Sequence, residues 1–421
     1  MTNKRSGTPQ GNLALVRGLA PAPALALLAS LYFAQGVPFG FFSQALPVLM
    51  RSRAYSLEWI GLSSLLALPW ALKWLWAPLV DRFCFRRLGR RRSWILPLQA
   101  ASVLTLAALA TWGDARGLDV LLIGCFISNL LASTQDVATD GLAVETLRVE
   151  ARGLGNGVQV AGYRTGMVLG GGPLLVLFER RGWSAATWAL AGALLVASLP
   201  VAFYNETRRH PMTATTHGAS VASYLRQPGV RSWLLVLVVF KFGDAVATGM
   251  LRPFLVDRGY SLSDIGWSLG TLGSLAGLVG ALAGGMLVNR LGVRLALLSF
   301  GMLSAISVGL YCYASASSID TATLAVLLGF ENFAGGMATV ALFTTMMQFS
   351  RAGSEGTDYT IQASVVVVGT GLAHSLSGFS AARLGYTLHF GLASVAAAFA
   401  AAAAWCLLPR VTSAVASWVQ S

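Results

Sequence analysis

The stretch "YSLEWIG" at residues 55–61 recurs almost unchanged as "YSLSDIG" at residues 260–266. The two copies lie 205 positions apart (260 minus 55), about half of the 421-residue chain. Other identical residues recur 203 positions apart: Asn129 and Asn332, Arg148 and Arg351, Gly153 and Gly356, Gln159 and Gln362, Gly166 and Gly369, and Gly182 and Gly385. This nearly constant offset predicts that the chain consists of two similarly folded halves.

The composition places both halves in a membrane. Hydrophobic residues make up 55% of the sequence and charged residues only 11%, which excludes an ordinary soluble domain. The net charge of +13 comes from short basic runs between apolar segments, where the preference of cytoplasmic loops for Lys and Arg explains it. We therefore predict a polytopic protein of the lipid bilayer with no nucleic-acid partner.

Twelve apolar segments are long enough to cross a bilayer, which takes about 20 residues per helix. We number them spans 1 to 12: 24–49, 58–80, 94–113, 118–147, 153–178, 184–205, 231–257, 263–288, 293–315, 318–349, 358–384 and 386–408. A polar linker, residues 206–230, separates an N-terminal half of six spans (1–205) from a C-terminal half (231–421).

The basic residues predict the orientation of these spans. With the N-terminus in the cytoplasm, most of the 30 Lys and Arg residues fall in cytoplasmic segments. The largest basic cluster, "DRFCFRRLGRRR" at 81–92, then follows span 2 on the cytoplasmic side, and "NRLGVR" at 289–294 is its weaker counterpart after span 8. Both termini are expected to be cytoplasmic.

Two six-helix halves in a parallel repeat, with a basic loop between spans 2 and 3, resemble the major facilitator transporters. The resemblance implies an all-α polytopic membrane protein with the major facilitator fold, built of 12 transmembrane helices in two pseudo-symmetric halves. It also implies that spans 1, 4, 7 and 10 line a central cavity.

Charged side chains inside the predicted spans point to the same cavity. At the bilayer centre each charge costs about 3 kcal/mol on insertion scales, so none is expected to face lipid. Asp136 and Asp140 lie four residues apart on one face of span 4, and the other charges are Lys73, Arg164, Lys241, Asp244 and Glu331. They form structural ion pairs, such as Lys241 with Asp244 or Arg164 with Asp136, or one carboxylate carries a proton for coupled transport. We predict Asp136 and Asp140 as the proton-coupling residues.

Span 1 supplies further candidates for substrate contact. Tyr32, Gln35 and Phe39 share one helical face, and Phe42 and Gln44 continue toward the outside. An amide beside aromatic rings suits a polar ligand that also stacks, although Phe and Tyr often serve only as packing residues. The predicted substrate-binding set joins these five residues to Arg164, Lys241, Asp244 and Glu331, and gating or structural roles are expected for Lys73, Asp81, Arg90, Glu145 and His374.

Glycines four residues apart predict close packing of helices in the bilayer. Gly162, Gly166 and Gly170 lie on one face of span 5, and a similar spacing recurs in span 8. Static packing is the expected role. The alternative is gating, because spans 5 and 8 meet between the halves of the transporters that the chain resembles.

The sequence carries no enzyme signature. It has no Gly-rich phosphate loop before Lys-Ser/Thr, no paired histidines at metal spacing, and no Ser or Cys with an evident base partner. Its four cysteines show neither pairing nor metal-ligand spacing. We therefore expect no enzymatic activity, no cofactor and no protein-bound metal, and a membrane receptor that does not transport is the alternative of another class.

Longer blocks of sequence allow narrower resemblances. "LALPWALKWLWAPLVDRF" (66–83), "GRRRSWILPLQ" (89–99) and "STQDVATDGLAVETL" (133–147) resemble the muropeptide permease and acetyl-CoA transporter families. In contrast, "YFAQGVPFGFFSQALPVLMR" (32–51) resembles the siderophore permeases of the rhizobactin/pyochelin type, which belong to the same branch.

The siderophore resemblance and the twelve-span length lead to the functional prediction. The chain is expected to act as a monomer that imports an iron-loaded siderophore of the pyochelin type across a bacterial inner membrane, driven by protons. The iron would arrive already chelated, so no protein ligands are needed. Import of an anhydromuropeptide is the alternative, although muropeptide permeases often carry additional spans, and drug or metabolite efflux is a further one.

Overall fold

The computed structural model describes residues 22–46, 49–50, 63–85, 87–112, 118–206, 220–260, 268, 272–317 and 319–419. Helices account for nearly all of these residues. In lipid, backbone N–H and C=O groups must find partners within the protein, and a helix satisfies them within one apolar segment. The predicted all-α class is confirmed. The first heptapeptide copy, most of the second, and most of the linker lie outside the described residues.

Each half contains a series of long helices. The N-terminal half has Ala22–Gly40, Arg92–Trp112, Leu118–Thr146, Arg152–Gly170 and Gly172–Phe203, and its span 2 consists of the short pieces Ser63–Ala67, Leu68–Leu72, Lys73–Leu75 and Ala77–Arg82. The C-terminal half has Val230–Asp257, Gly273–Ala316, Thr321–Gln348 and Glu355–Val419, preceded by the short helix Val221–Leu225.

Three of these helices are each broken at a glycine. Gly182, Gly292 and Gly385 have φ of 80°, 74° and 73°, with ψ of 155° or more, a region essentially restricted to glycine. The chain reverses at such a break, since Ser380 Oγ and His389 Nδ1, on either side of Gly385, are 2.6 Å apart. Eight helical stretches of the described residues are long and apolar enough to cross a membrane. The three breaks divide them into eleven spans, and the short helical pieces of span 2 are consistent with a twelfth.

The glycine breaks follow the sequence repeat. Gly182 and Gly385 lie between spans 5 and 6 and between spans 11 and 12, 203 positions apart (385 minus 182). Gly89 and Gly292 lie before spans 3 and 9, also 203 positions apart (292 minus 89), and both have positive φ. Equivalent turns in the two halves therefore place a glycine with positive φ at the same position of the repeat.

The glycine face of span 5 packs against span 1. A Cβ at Gly166 would lie 2.4 Å from the Phe33 carbonyl oxygen, and one at Gly170 would lie 2.1 Å from that of Val37. These glycines thus hold two helices of one half together. Contact with span 8 of the other half instead uses Gly153, where a Cβ would lie 2.5 Å from the Gly285 carbonyl oxygen.

The hydrophobic cores differ between the two ends of the bundle. At the end that carries Asp81 and Arg91, which we call the basic end, one core contains residues of both halves, such as Val144 and Trp233. At the opposite end, which we call the far end, the two halves have separate cores, one around Trp183 and one around Phe390. Among the described residues, the two halves therefore share a core at the basic end and form separate cores at the far end.

Candidate functional site

A cavity of about 560 Å³ lies between the two halves, and we call it the central cavity. Its volume is in the range of small-molecule sites. Aromatic, amide and charged side chains meet in its wall: Tyr32, Gln35, Phe39, Trp70, Lys73, Asp136, Asp140, Gln159, Tyr163, Arg164, Asn332, Phe343 and Tyr359. Of the four spans predicted to line one cavity, spans 1, 4 and 10 line the central cavity, whereas span 7 contributes no described residue to its wall.

The two aspartates of span 4 share one lysine. Lys73 forms an ion pair with Asp136, and its Nζ is 4.0 Å from Asp140 Oδ2. Tyr32 donates a hydrogen bond to Asp140 Oδ1 at 2.7 Å. Asp136 therefore pairs with Lys73 rather than with Arg164, which the sequence had suggested. One ammonium group thus lies between two carboxylates in the cavity wall.

Span 1 contributes its predicted face to the central cavity. Gln35 is only 1% exposed, and neither its amide nitrogen nor its amide oxygen has a hydrogen-bond partner among the described residues. Phe39 packs against Trp70 and Tyr163, with ring centroids 5.9 and 5.7 Å apart. These three rings form a wall, which we call the aromatic wall, next to an unsatisfied amide.

Two span 1 candidates do not join this face. Phe42 is buried in the hydrophobic core at the far end, where it contacts Phe39 edge-on at 5.8 Å, and it lines neither cavity. One more turn of helix carries its ring past the cavity into that core. The side chain of Gln44 lies outside the described part of the chain.

A second cavity of about 320 Å³, the side cavity, adjoins the first and shares Arg164, Asn332 and Thr339 with it. Its lining includes all four charged residues of the predicted substrate-binding set: Arg164, Lys241, Asp244 and Glu331. Lys241 and Asp244 form the predicted ion pair, at 2.5 Å. Glu331 accepts a hydrogen bond from Asn332 at 3.0 Å. Arg252, five residues before the end of Val230–Asp257, places this cavity toward the far end.

The basic end is closed by charges from both halves, which we call the gate cluster: Asp81, Arg90, Arg91, Glu145 and Glu355. Arg91 contacts Asp81 at 2.6 Å and Glu145 at 2.6 Å, and reaches Glu355 of the other half at 3.3 Å. Arg90 contacts the same three carboxylates at 3.2 to 3.3 Å and donates to the Gly353 carbonyl at 2.5 Å. Asp81, Arg90 and Glu145, predicted to be gating or structural residues, thus meet in one network.

Asp81 is the centre of the gate cluster. Burial raises the pKa of its carboxyl, but the charges of Arg91 and Arg90 and two hydrogen bonds from Thr357 outweigh burial and hold the pKa below its ordinary value. Its contribution to the closed form is therefore present at neutral pH, above the ordinary pKa. It is lost only in acid, as the pH falls through the lowered pKa.

Sequence reasoning missed several residues of this end. Arg91 and Glu355 were not singled out, although Arg91 lies in the basic run "GRRR" and Glu355 opens the helix of span 11. Glu206 accepts hydrogen bonds from the backbone N–H of Arg91 and Arg92, at 2.9 Å each, and so caps the helix of span 3. An acidic residue at the start of a polar linker gives no sign of that contact.

His374 lines neither cavity. It is exposed, and a Cβ at Gly249 of span 7 would lie 3.2 Å from its ring, so it lies against that helix. Lys73, predicted to be a gating or structural residue, is 3% exposed in the wall of the central cavity, where it pairs with Asp136.

The chain is similar to known transporters in sequence. The family model described as acetyl-coenzyme A transporter 1 matches residues 24–180. The anhydromuropeptide permease of Escherichia coli K12 is 31% identical over 382 residues, which cover 89% of this chain and 78% of that protein. These relatives are transporters, as predicted, and not enzymes.

Solved structures show the same fold. The human organic anion transporter MFSD10 superposes with a TM-score of 0.70 at 16% identity, over 91% of this chain and 100% of that one. The Major Facilitator Superfamily transporter FucP superposes with a TM-score of 0.67 at 14% identity, over 92% and 98%. The predicted major facilitator fold is confirmed.

Proposed function

The chain belongs to the anhydromuropeptide permease family, and from this premise we propose that it carries an anhydromuropeptide across a bacterial inner membrane by alternating access. An anhydromuropeptide is a sugar joined to a short peptide, so it carries hydroxyl, amide and charged groups. The protein offers a partner for each of these groups.

The observation that carries the proposal is the pair of adjoining cavities. The central cavity sets the aromatic wall beside the unsatisfied amide of Gln35, and aromatic faces with a nearby hydrogen-bonding group suit a sugar ring. The side cavity supplies charges of both signs for a peptide. Together they accommodate a ligand larger and more mixed in character than an ion.

Family membership favours this substrate over a ferric siderophore, which the sequence of span 1 had predicted first. That prediction rested on a block of 20 residues, 32–51, and on the twelve-span length, whereas the similarity to the permease extends over 382 residues. The cavity-lining residues of the block, such as Tyr32, Gln35 and Phe39, serve equally as a site for a sugar. We therefore do not propose siderophore import, and a siderophore serves as the comparison substrate in the uptake experiment.

The proposed orientation places the basic end in the cytoplasm, because cytoplasmic loops are rich in Lys and Arg. In that orientation the closed gate cluster faces the cytoplasm, and the side cavity extends toward the periplasm. The structure then represents a form that receives substrate from outside. Import requires the gate cluster to separate and the two halves to close at the far end.

Proton coupling is proposed at Asp136 and Asp140. The two carboxylates share Lys73, and Tyr32 holds one of them beside the cavity. When Lys73 neutralises only one carboxylate, the other gains from binding a proton. Substrate and proton then reach the same cavity wall, which would couple their movement.

Uptake in cells tests the function directly. Cells with and without this gene receive labelled anhydromuropeptide in one series and an iron-labelled siderophore of the pyochelin type in the other. We expect deletion to abolish uptake of the muropeptide and leave siderophore uptake unchanged. Loss of siderophore uptake alone would refute the proposal and restore the prediction made from span 1.

A further inference from the structure

We infer that the side cavity binds a zwitterionic end of the substrate, one that bears a free amino group and a free carboxylate. The inference rests on the proposed function, because it assigns the peptide part of the muropeptide to this cavity. It goes beyond that function in naming the chemical group and the two residues that bind it, Arg164 and Glu331.

Five charged side chains line the side cavity, and two of them satisfy each other. Lys241 and Asp244 lie three residues apart on span 7 and pair at 2.5 Å, and Ser304 lies 3.4 Å from the second oxygen of Asp244. This pair is electrically neutral and engaged within its own helix. Arg252 is exposed to solvent, so Arg164 and Glu331 are the two remaining charged side chains that are available to bind a charged ligand within the protein.

Arg164 and Glu331 are not part of an ion pair of this kind among the described residues. Neither forms an ion pair with any described residue, although both line the side cavity. Glu331 is 5% exposed, and its near neighbours are the Asn332 amide at 3.0 Å and the Tyr311 hydroxyl at 3.5 Å, both neutral. The Arg164 guanidinium lies so close to Gly277 of span 8 that a Cβ there would come within 1.7 Å of its Nη1. One cation and one anion thus face one cavity without a partner.

An unpaired charge away from water is costly, so each of these groups gains from a ligand charge of opposite sign. A purely anionic ligand would satisfy Arg164 and repel Glu331, and a purely cationic ligand would do the reverse. A ligand end with one amino group and one carboxylate satisfies both and adds no net charge. The guanidinium is suited to the carboxylate because its planar fork can donate two hydrogen bonds.

The position of Arg164 connects this end to the rest of the substrate. It lines both cavities, together with Asn332 and Thr339. A ligand whose sugar lies on the aromatic wall of the central cavity therefore passes Arg164 as it enters the side cavity. The peptide end of a muropeptide carries charged groups of the required kind, whereas its sugar does not.

Binding to the purified full-length protein in nanodiscs tests this inference with four ligands. The first is an anhydromuropeptide whose peptide presents a free amine and a free carboxylate. The second has the amine acetylated, the third has the carboxylate amidated, and the fourth is the anhydro-sugar without peptide. The affinities of these four ligands are compared on the wild-type protein, so this comparison does not depend on the folding of a variant.

We expect acetylation and amidation each to weaken wild-type binding by about tenfold or more, because each removes one charge-assisted contact. Arg164→Gln should weaken binding of the first ligand and make amidation irrelevant, and Glu331→Gln should make acetylation irrelevant. Thr105→Val in span 3 is the control, because Thr105 lines neither cavity and its hydroxyl donates to a carbonyl of its own helix, that of Ala101, at 2.8 Å. This control variant should bind the four ligands with the same order of affinities as the wild-type protein.

The experiment distinguishes failure of this inference from failure of the proposed function. If the peptide-free sugar binds as tightly as the full ligand, and Arg164→Gln weakens both equally, the zwitterion site is refuted while the proposed function stands. If the wild-type protein binds none of the four ligands, the proposed function itself is refuted, and this inference with it.

Discussion

Thr357 donates both its backbone N–H and its hydroxyl to one oxygen of Asp81, Oδ2, at 2.6 and 2.5 Å. Asp81 ends span 2 of the N-terminal half, and Thr357 lies in the first turn of span 11 in the C-terminal half. The other oxygen of Asp81 contacts Arg90 and Arg91. One fully buried carboxylate therefore links the basic loop to the opposite half, and its release must accompany opening at this end.

Asp81→Asn should loosen the closed basic end. The change keeps the size of the side chain and removes the charge, and loss of charge-assisted hydrogen bonds to a buried group costs about 1–3 kcal/mol. The measurement is the labelling rate of Met347→Cys, a fully buried position at the interface of the halves, in a variant without the native cysteines. We expect labelling by a membrane-impermeant thiol reagent to increase about fivefold or more.

The control for that experiment is Asp320→Asn. It is the same chemical change at the N-cap of the span 10 helix, at the end opposite Met347, where Asp320 accepts a hydrogen bond from the Thr323 N–H. Its labelling rate should equal that of the parent. Equal rates for Asp81→Asn and the parent would show that Asp81 does not keep this end closed.

Asp140→Asn should abolish accumulation and preserve exchange. An amide cannot take up the transported proton, but it can still accept the hydrogen bond from Tyr32. In proteoliposomes, we expect uptake driven by a pH gradient to fall at least about tenfold, while exchange of labelled for unlabelled substrate across the membrane stays within about twofold of wild type. Tyr32→Phe, which retains the carboxylate, should keep part of the gradient-driven uptake. Accumulation at the wild-type level by Asp140→Asn and also by Asp136→Asn would move proton transfer to another residue.

Gln35→Ala should weaken substrate binding without loss of fold. Both amide atoms of Gln35 lack partners among the described residues, so in the free protein the change removes a buried polar group at no cost in hydrogen bonds. One or two lost ligand hydrogen bonds correspond to roughly a fivefold to fiftyfold increase in Kd. The readout is equilibrium binding of the anhydromuropeptide.

Gln99 provides a matched control for Gln35. It too is 1% exposed with both amide atoms unsatisfied within the described residues, but it lies in span 3 and lines neither cavity. Gln99→Ala should therefore leave Kd unchanged. Equal effects of the two changes would assign Gln35 a structural role only.

Gly170→Ala should destabilise the N-terminal half. The added Cβ would lie 2.1 Å from the Val37 carbonyl oxygen, so spans 1 and 5 must move apart, at a cost of about 1–3 kcal/mol. The measurement is the thermal unfolding midpoint of the purified protein in detergent. Gly192→Ala, where no described atom lies within 4 Å of the new Cβ, is the control and should match or slightly exceed wild type. An unchanged midpoint for Gly170→Ala would contradict the close packing of these helices.

The sequence was sufficient for the fold because the fold depends on regular patterns. Apolar segments of membrane length, the repeat at 203 positions and its glycines predict the helices and their turns, and Gly182 and Gly385 indeed share one unusual conformation. Charges such as Asp140 and Glu331 could be placed in cavities because lipid excludes them.

The gate and the finer function could not be predicted in this way. The contact between Arg90 and Glu355 joins residues 265 positions apart, and no local pattern specifies it. The aromatic face of span 1 indicated a ligand that stacks, but a ring and an amide suit a sugar as well as an aromatic siderophore. The burial of the Phe42 ring in the far-end core depends on how span 1 packs there, which helical spacing does not specify.

The most direct test of the account is transport by the purified protein alone. Proteoliposomes preloaded with unlabelled anhydromuropeptide should take up the labelled compound from outside by exchange, and excess external anhydromuropeptide should inhibit this uptake while an iron-loaded siderophore of the pyochelin type should not. Uptake of the labelled siderophore in place of the muropeptide would contradict the central claim.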